Sequence, residues 1–552
     1  MPPYQLSNRS VDSPRPIRIA IIGAGVSGIG LCIRLRQYVP SASIQIYEKN
    51  ADVGGTWLEN RYPGVACDIP SHVYQYTFEP NTQWSKFFSD GAEILEYVRG
   101  VARKYKVREN VAIETKVLGM IWDETQANWI VDVEKHGKKS VSTFDIVINA
   151  TGCLNNWKWP QIDGLHDFQG TLLHSANWDE SWDYSKKIVA LIGAGSSAIQ
   201  ILPHLQKKCD QVHHFVRGRT WVSEPFGLVA TQRAIAGDKD SGNYSYSIEE
   251  LKRFREDPEF YWAYRKEIER YINLDHSCLF PDTPAAIGSK QRIIENMKSK
   301  LAKKPEIYDA IEPGFRPGCR RLTPGPGFLE ALVEDNVHFT TSPITRVTKD
   351  SVITADGKVQ QVDGIVCATG FDTSFNPRFK VTGRDGILLS EQWKEYSSAY
   401  LSLAIPKLPQ LLCSSLLIIF ESIIGYIVKA AQKMAREHIK TIEVRKKPLN
   451  AWEKYMDAYF PTTVHLEGCT SWYKAGEINH RVVGLWPGSS LHAKKTLEHP
   501  RWEDFEFGYG DQNIEGEKGI LGWLGDGWTT ADREAGDTSW YLDEVDYPPV
   551  VV

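Results

Sequence analysis

Two short glycine-bearing runs carry the clearest chemistry in the sequence. The first is Gly23, Ala24, Gly25, Val26, Ser27 and Gly28, a GxGxxG pattern with Glu48 twenty residues beyond it. Between a strand and a helix these residues have separate tasks. Gly23 permits a tight turn, Gly25 lets the backbone approach a pyrophosphate, and Gly28 lets helix and strand pack closely. The helix start, worth about half a positive charge, then faces the phosphates. Glu48 would accept hydrogen bonds from a ribose diol and repel a 2′-phosphate, which selects FAD or NAD over NADP. The second run is Gly193, Ala194, Gly195, Ser196, Ser197 and Ala198, a GxGxxA variant. Here Arg217 takes the place of the acid, with Arg219 close by. A guanidinium there pairs with a 2′-phosphate, so this site is expected to take NADPH. Two dinucleotide sites of opposite ribose preference imply a flavin that NADPH reduces.

Such runs act only when strands and helices hold them. Residues 17–22 read as a buried parallel strand, followed by a helical pattern through Leu31, Leu35 and Tyr38 and a second strand over 43–47. The arrangement returns as a strand over 188–192, a helix through Ile199, Leu202 and Leu205, and a strand over 211–216. Apolar runs ending in Ala-Thr-Gly at 146–152 and 365–370 predict strand exits where the chain crosses between two nucleotide folds. His213 and His214 lie inside a predicted strand and are expected to pack rather than bind metal; no metal site is expected. The fold class is α/β, with two Rossmann-like dinucleotide-binding domains and an inserted helical region.

The chain as a whole sets outer bounds. Its 552 residues suggest two or three domains sharing a large core. A net charge of −5 argues against a nucleic-acid partner, which needs a basic surface. The 9 cysteines are scattered, odd in number and free of CxxC pairs, which predicts reduced thiols in a cytoplasmic protein. Residues 1–17 are polar, lack the apolar stretch of a secretory signal, and read as a loose lead-in. The final Pro-Pro-Val-Val-Val matches no common address signal. Residues 411–428 are apolar and nearly long enough to span a membrane, but Glu421 sits near their middle. A central carboxylate costs roughly 2.5–3.5 kcal/mol on insertion, so a buried or interfacial helix is expected and no transmembrane span. The basic run 445–447 reads as a solvated helix end stopped by Pro448.

From residue 17 to about 510 the chain resembles the class B flavoprotein monooxygenases, and among them the Baeyer–Villiger monooxygenases. The most specific piece is Phe168, Gly170, His174 and Trp178, spaced FxGxxxHxxxW and followed by Asp179. A second is Gly54-Gly55-Thr56-Trp57 through Asn60-Arg61-Tyr62-Pro63-Gly64 to Cys67-Asp68. A third is Gly318-Cys319-Arg320-Arg321. Ser471-Trp472-Tyr473 and Leu485-Trp486-Pro487-Gly488 complete the set. The resemblance implies that Thr56, Trp57, Asp68 and Tyr74 contact FAD. It implies that Arg321 is the active-site arginine, that Asp68 orients it, and that Arg320 touches the nicotinamide cofactor. His174 takes a conformational role on the linker. One stretch departs from the family pattern. Relatives carry a strand and a Gly-Pro-Asn loop after the position of Pro409, whereas this chain passes through residues 410–415 straight into the helix containing Glu421.

The implied organisation is a flexible segment 1–15, an FAD domain over 16–155 and 373–552, and a linker with an NADPH domain over 156–222 and 325–372. Residues 223–324 form the inserted helical region, whose charged helical stretch 247–271 caps the cleft. The implied reaction takes O2, NADPH and a ketone to an ester or lactone by way of a C4a-peroxyflavin, in secondary metabolism. Two other readings stay beside it: an N- or S-hydroxylating flavin monooxygenase, and a flavin-poor protein that is non-catalytic or oxidises NADPH without product.

Overall fold

In the run Ile17–Ile22 every residue except Arg18 is buried, the pattern of a strand covered on both faces. The computed structural model describes residues 6, 8–224, 243–413, 417–509, 521–534 and 536–540. Ile17–Ile22 lies at the centre of a five-stranded parallel sheet, between Ala42–Tyr47 on one side and Ile146–Asn149 on the other. Val111–Ala112 closes one edge and Leu411–Cys413 the other. The second five-stranded parallel sheet has the order Val337–Thr340, Gln211–Phe215, Ile188–Ile192, Gly364–Cys367 and Thr171–His174. Each glycine turn leads from the central strand of its sheet into a helix, Val26–Tyr38 in the first case and Ser196–Lys208 in the second. Gly28 has no room for a side chain, because a Cβ there would stand 2.0 Å from the Gly23 carbonyl oxygen. An antiparallel meander, Thr115–Asp123, Asn128–Lys135 and Lys138–Phe144, packs against the first sheet through Trp122, Trp129 and Val131.

The inserted region is helical where described; residues 225–242 of it lie outside the described residues. Its charged stretch forms two helices, Ile248–Glu256 and Pro258–Leu274. Proline at 258 has no N–H for the preceding turn and forces the break. Ser247 and Glu250 form a capping box at the first of them. Helix Pro284–Lys300 starts with Thr283 as its cap and buries Ile293 and Met297 against the second sheet's core.

Several expectations are corrected here. Cys319 and Cys469 form a disulfide, with Cα atoms 6.2 Å apart, so the reading of all thiols as reduced fails for this pair. Their separation of 150 residues hid the pairing from any local spacing rule. The lead-in is not loose from Arg9 onward: Arg15 pairs with Asp145 at 2.9 Å, and Asp12 accepts hydrogen bonds from the Thr530 amide and hydroxyl. The segment after Pro409 does not run straight into a helix, since Leu411–Cys413 first pairs with Ile146–Asn149. The Gln410 amide donates to Ile442 and its carbonyl accepts from Val147, which aligns the strand. Residues 414–416 lie outside the described residues. The basic run 445–447 opens helix Lys446–Tyr459 instead of ending one. Pro448 falls in that helix's first turn, where a missing N–H costs nothing.

Helix Leu417–Arg436 packs on helix Val26–Tyr38, with Ile424 and Phe420 against Gly30. Glu421 is engaged rather than lipid-facing: its carboxylate accepts from the Thr77 amide at 2.8 Å and hydroxyl at 2.5 Å. Among the described residues no helix is long and apolar enough to cross a membrane.

Candidate active site

Both glycine turns open onto one cleft of about 2170 Å³, whose walls also include the two Ala-Thr-Gly exits, the inserted helices and residues 470–473. An ordinary small-molecule pocket holds roughly 300–1,000 Å³, so this cleft has room for more than one ligand. Gly25 and Gly195 cap their helices without any side-chain hydrogen bond, which leaves the first-turn N–H groups available. A Cβ placed on Gly195 would meet nothing within 4 Å, so that glycine presents open backbone to the cleft. Glu48 lines the cleft beside the first turn and is 4% exposed. Its two oxygens accept from the Ala24 and Asn50 amides at 2.8 and 2.9 Å. Burial raises its pKa, the two amides pull it down, and lone pairs remain for a diol. The first turn and Glu48 could hold an FAD ribose and pyrophosphate.

The loop after the first fold contributes Thr56, Trp57, Asp68 and Tyr74 to the same wall. Trp57 Nε1 donates to the Tyr74 hydroxyl at 3.2 Å, and the rings meet edge to face. Arg321 grips Asp68 with two hydrogen bonds, Nε to Oδ2 at 3.1 Å and Nη2 to Oδ1 at 2.5 Å. Asp68 is the more enclosed partner, 17% exposed against 42% for Arg321, whose open surface faces the cleft. Burial opposes the guanidinium charge, but Asp68 outweighs it, with Tyr473 adding, and the Arg321 pKa is raised. The site therefore holds a fixed cation.

Arg320 points to the second turn. Its Nη2 donates to the Thr220 hydroxyl at 3.0 Å and the Ala194 carbonyl at 3.4 Å, and burial lowers its pKa. Gly193 leads into the turn from its strand, and Gly195, Ser196 and Ser197 line the cleft there. Ser196 hydrogen-bonds the Thr323 hydroxyl at 2.8 Å. Arg217 and Arg219 are exposed beyond the strand end, do not line the cleft, and Arg219 donates to the Glu312 carbonyl. Arg320 is thus a basic side chain that reaches the second turn directly.

His174 is fully buried and also does not line the cleft. Its ring stacks on Trp157, with centroids 4.7 Å apart. Nδ1 accepts from the Ala176 amide at 3.1 Å, which leaves the proton on Nε2, 3.4 Å from the Thr369 hydroxyl. Burial pushes its pKa down to about 4, so the ring is neutral at neutral pH. It reaches the cleft through Thr369 rather than by contact. His213 stacks on His338 and His214 hydrogen-bonds the Gly193 carbonyl, and no cluster of metal ligands occurs among the described residues. Residue-by-residue reading missed the disulfide immediately before Arg320 and Arg321, and Tyr473, buried beside the ion pair. The family-like Ser-Trp-Tyr run was the one available signal for Tyr473.

Residues 16–227 match the family model described as flavin-binding monooxygenase-like. The chain is 36% identical over 547 residues to the FAD-binding monooxygenase tazF of Aspergillus terreus, covering 96% of this chain and 95% of that one. It is 32% identical to a Baeyer–Villiger monooxygenase of Pseudomonas aeruginosa, over 86% of this chain and 88% of the other. The chain belongs to the class B flavin monooxygenases of Baeyer–Villiger type. Among solved structures, this monooxygenase superposes on a closed cyclohexanone monooxygenase with a TM-score of 0.77 at 22% identity, over 90% of this chain and 99% of that one. An oxidised steroid monooxygenase bound to NADP gives a TM-score of 0.76 at 21% identity, over 90% of this chain and 100% of the other. The monooxygenase thus shares its fold with both over 90% of its length.

Proposed function

We propose that this monooxygenase uses NADPH and FAD to insert one atom of O2 beside a ketone carbonyl, giving an ester or lactone. The observation that carries the reading is the Asp68–Arg321 pair, set in the cleft that both glycine turns share. Bound flavin, reduced by NADPH, supplies the oxygen-transfer chemistry. The chain supplies position and charge. The first turn and Glu48 bind FAD, with Thr56, Trp57 and Tyr74 along its length. The second turn and Arg320 bind NADPH, with Arg217 and Arg219 at the outer rim.

Attack on a ketone carbonyl builds negative charge on its oxygen, and Arg321 is fixed and charged before that happens. A cation already in place costs no reorganisation when the charge develops. Arginine keeps its proton at any working pH, so the site never loses this charge. Asp68 accepts two parallel hydrogen bonds, which fixes the plane of the guanidinium as well as its position. The inserted helices, on the cleft wall through Tyr271, Ile287 and Ile293, exclude water and meet the substrate. On this reading FAD belongs to residues 16–155 with 373–552, and NADPH to 156–222 with 325–372.

The test is purified protein supplied with FAD, NADPH and a panel of ketones, followed by mass detection. A yellow protein that yields an ester or lactone one oxygen heavier than its ketone supports the reading. Oxygenation of amines or sulfides alone, or NADPH consumption with hydrogen peroxide as the sole product, rejects it.

A further inference from the structure

The loop that carries Asp68 is held by the opposite fold. Residues 60–68 leave the first fold and lie on helix Ser196–Lys208 of the second. Tyr62 is 7% exposed and packs within the second sheet's apolar core, among residues such as Leu173, Val189 and Ile199. Its hydroxyl donates to Gln200 Oε1 at 2.8 Å. Gln200 Nε2 in turn donates to the Ala66 carbonyl at 2.9 Å. Gly64, with φ +83°, lets the loop sit directly on the helix: a Cβ there would be 2.5 Å from the Gln200 carbonyl oxygen and 2.5 Å from the His204 ring.

We propose that Gln200 is a positioning residue for the reaction, latching the loop so that Asp68 meets Arg321 in register. The inference rests on the function proposed above. Both ends of the Gln200 amide are used, the oxygen toward Tyr62 and the nitrogen toward Ala66, two residues before Asp68. The latch therefore spans the loop from its third residue to its seventh. Without it, Asp68 keeps its charge but loses its fixed approach to the guanidinium. Misplacement of about 1 Å away from the reacting atoms can cost about 100-fold in rate. An amide is required here, because a carboxylate keeps the acceptor and loses the donor, while an aliphatic side chain loses both.

The experiment compares FAD-loaded wild type, Gln200→Leu, Gln200→Glu, Tyr62→Phe and the double variant Tyr62→Phe with Gln200→Leu. Three quantities are read: amide hydrogen exchange across residues 60–68, ester formed per NADPH consumed, and the KM for NADPH. In Gln200→Leu, exchange in that segment should rise at least about tenfold, and product per NADPH should fall about tenfold. The KM for NADPH should stay within about twofold, because the second turn is intact. Gln200→Glu should fall between, and Tyr62→Phe added to Gln200→Leu should cost little more, since both cut the same link. Unchanged exchange in Gln200→Leu and in the isosteric Gln200→Glu overturns the latch. Raised exchange with full product per NADPH overturns the positioning role. If wild type itself forms no ester, the functional reading falls, while exchange still decides whether the latch exists.

Discussion

Asp68 and Arg321 lie 253 residues apart in the chain and meet in the cleft through two hydrogen bonds. Local sequence links neither to the other, so folding alone brings the charge into place. Arg321→Ala should keep FAD binding and NADPH oxidation yet lose ester formation by about 100- to 1,000-fold, the scale of removing one fixed donor to a developing anion. Arg321→Lys should recover little, because an ammonium cannot make both parallel bonds. Product per NADPH, measured by mass detection, decides the matter; full ester formation in Arg321→Ala would remove this arginine from the mechanism.

The Cys319–Cys469 bond ties the segment before Arg321 to the one before Tyr473. A cross-link across about 150 residues limits the unfolded chain strongly, with typical gains of about 2–4 kcal/mol. Cys319→Ser combined with Cys469→Ser should lower the melting temperature and broaden the arginine's positions, so product per NADPH should fall with it. Thiol labelling in denaturant should find two more reactive groups after reduction than before. Equal counts would mean that the pair is not bonded in the protein as purified.

Much of this was legible in the sequence, for particular reasons. The glycine turns were legible because the strand, turn, helix and strand of each fold are local. Asp68 and Arg321 were visible only through the family-like runs around them, since no residue count links two sites so far apart. The disulfide was invisible for the same reason. Arg217 looked like the base beside a 2′-phosphate because it follows the strand as Glu48 does. Glu48 folds back onto the Ala24 amide, whereas Arg217 is exposed beyond its strand end, and Arg320, from elsewhere in the chain, reaches the second turn. Pro448 misled because proline stops a helix interior but suits a first turn.

Four buried histidines set an acid limit on stability. His72, His174, His214 and His465 are each pushed down by burial, His72 to about 3 and the others to about 4, from an ordinary 6.5. Between those values and 6.5 the unfolded chain binds more protons than the folded one. Stability therefore rises with pH in that window, is full above about 6.5, and is lost as pH falls. The melting temperature should hold from about pH 7.5 to 6.5 and then drop toward pH 5. His72→Phe, which keeps a ring among Tyr246, Phe254, Tyr261 and Tyr264, should shallow the drop. A flat profile down to pH 5 would show these rings to be proton-accessible in the folded state.

Gly28, the third glycine of the first turn, and Gly195, the second glycine of the other, do different jobs and should respond differently to one added methyl. At Gly28 a Cβ would stand 2.0 Å from the Gly23 carbonyl oxygen, a backbone atom that cannot move aside without opening the turn. Gly28→Ala should therefore lower the melting temperature and shed FAD. At Gly195 a Cβ meets nothing within 4 Å, so the fold should accept Gly195→Ala unchanged. That methyl projects where the second pyrophosphate would approach the backbone, so affinity for NADPH should fall about tenfold or more while FAD stays bound. Calorimetry for FAD and titration with NADP+ separate the two effects. Normal NADP+ affinity in Gly195→Ala would mean that the dinucleotide does not rest on this turn.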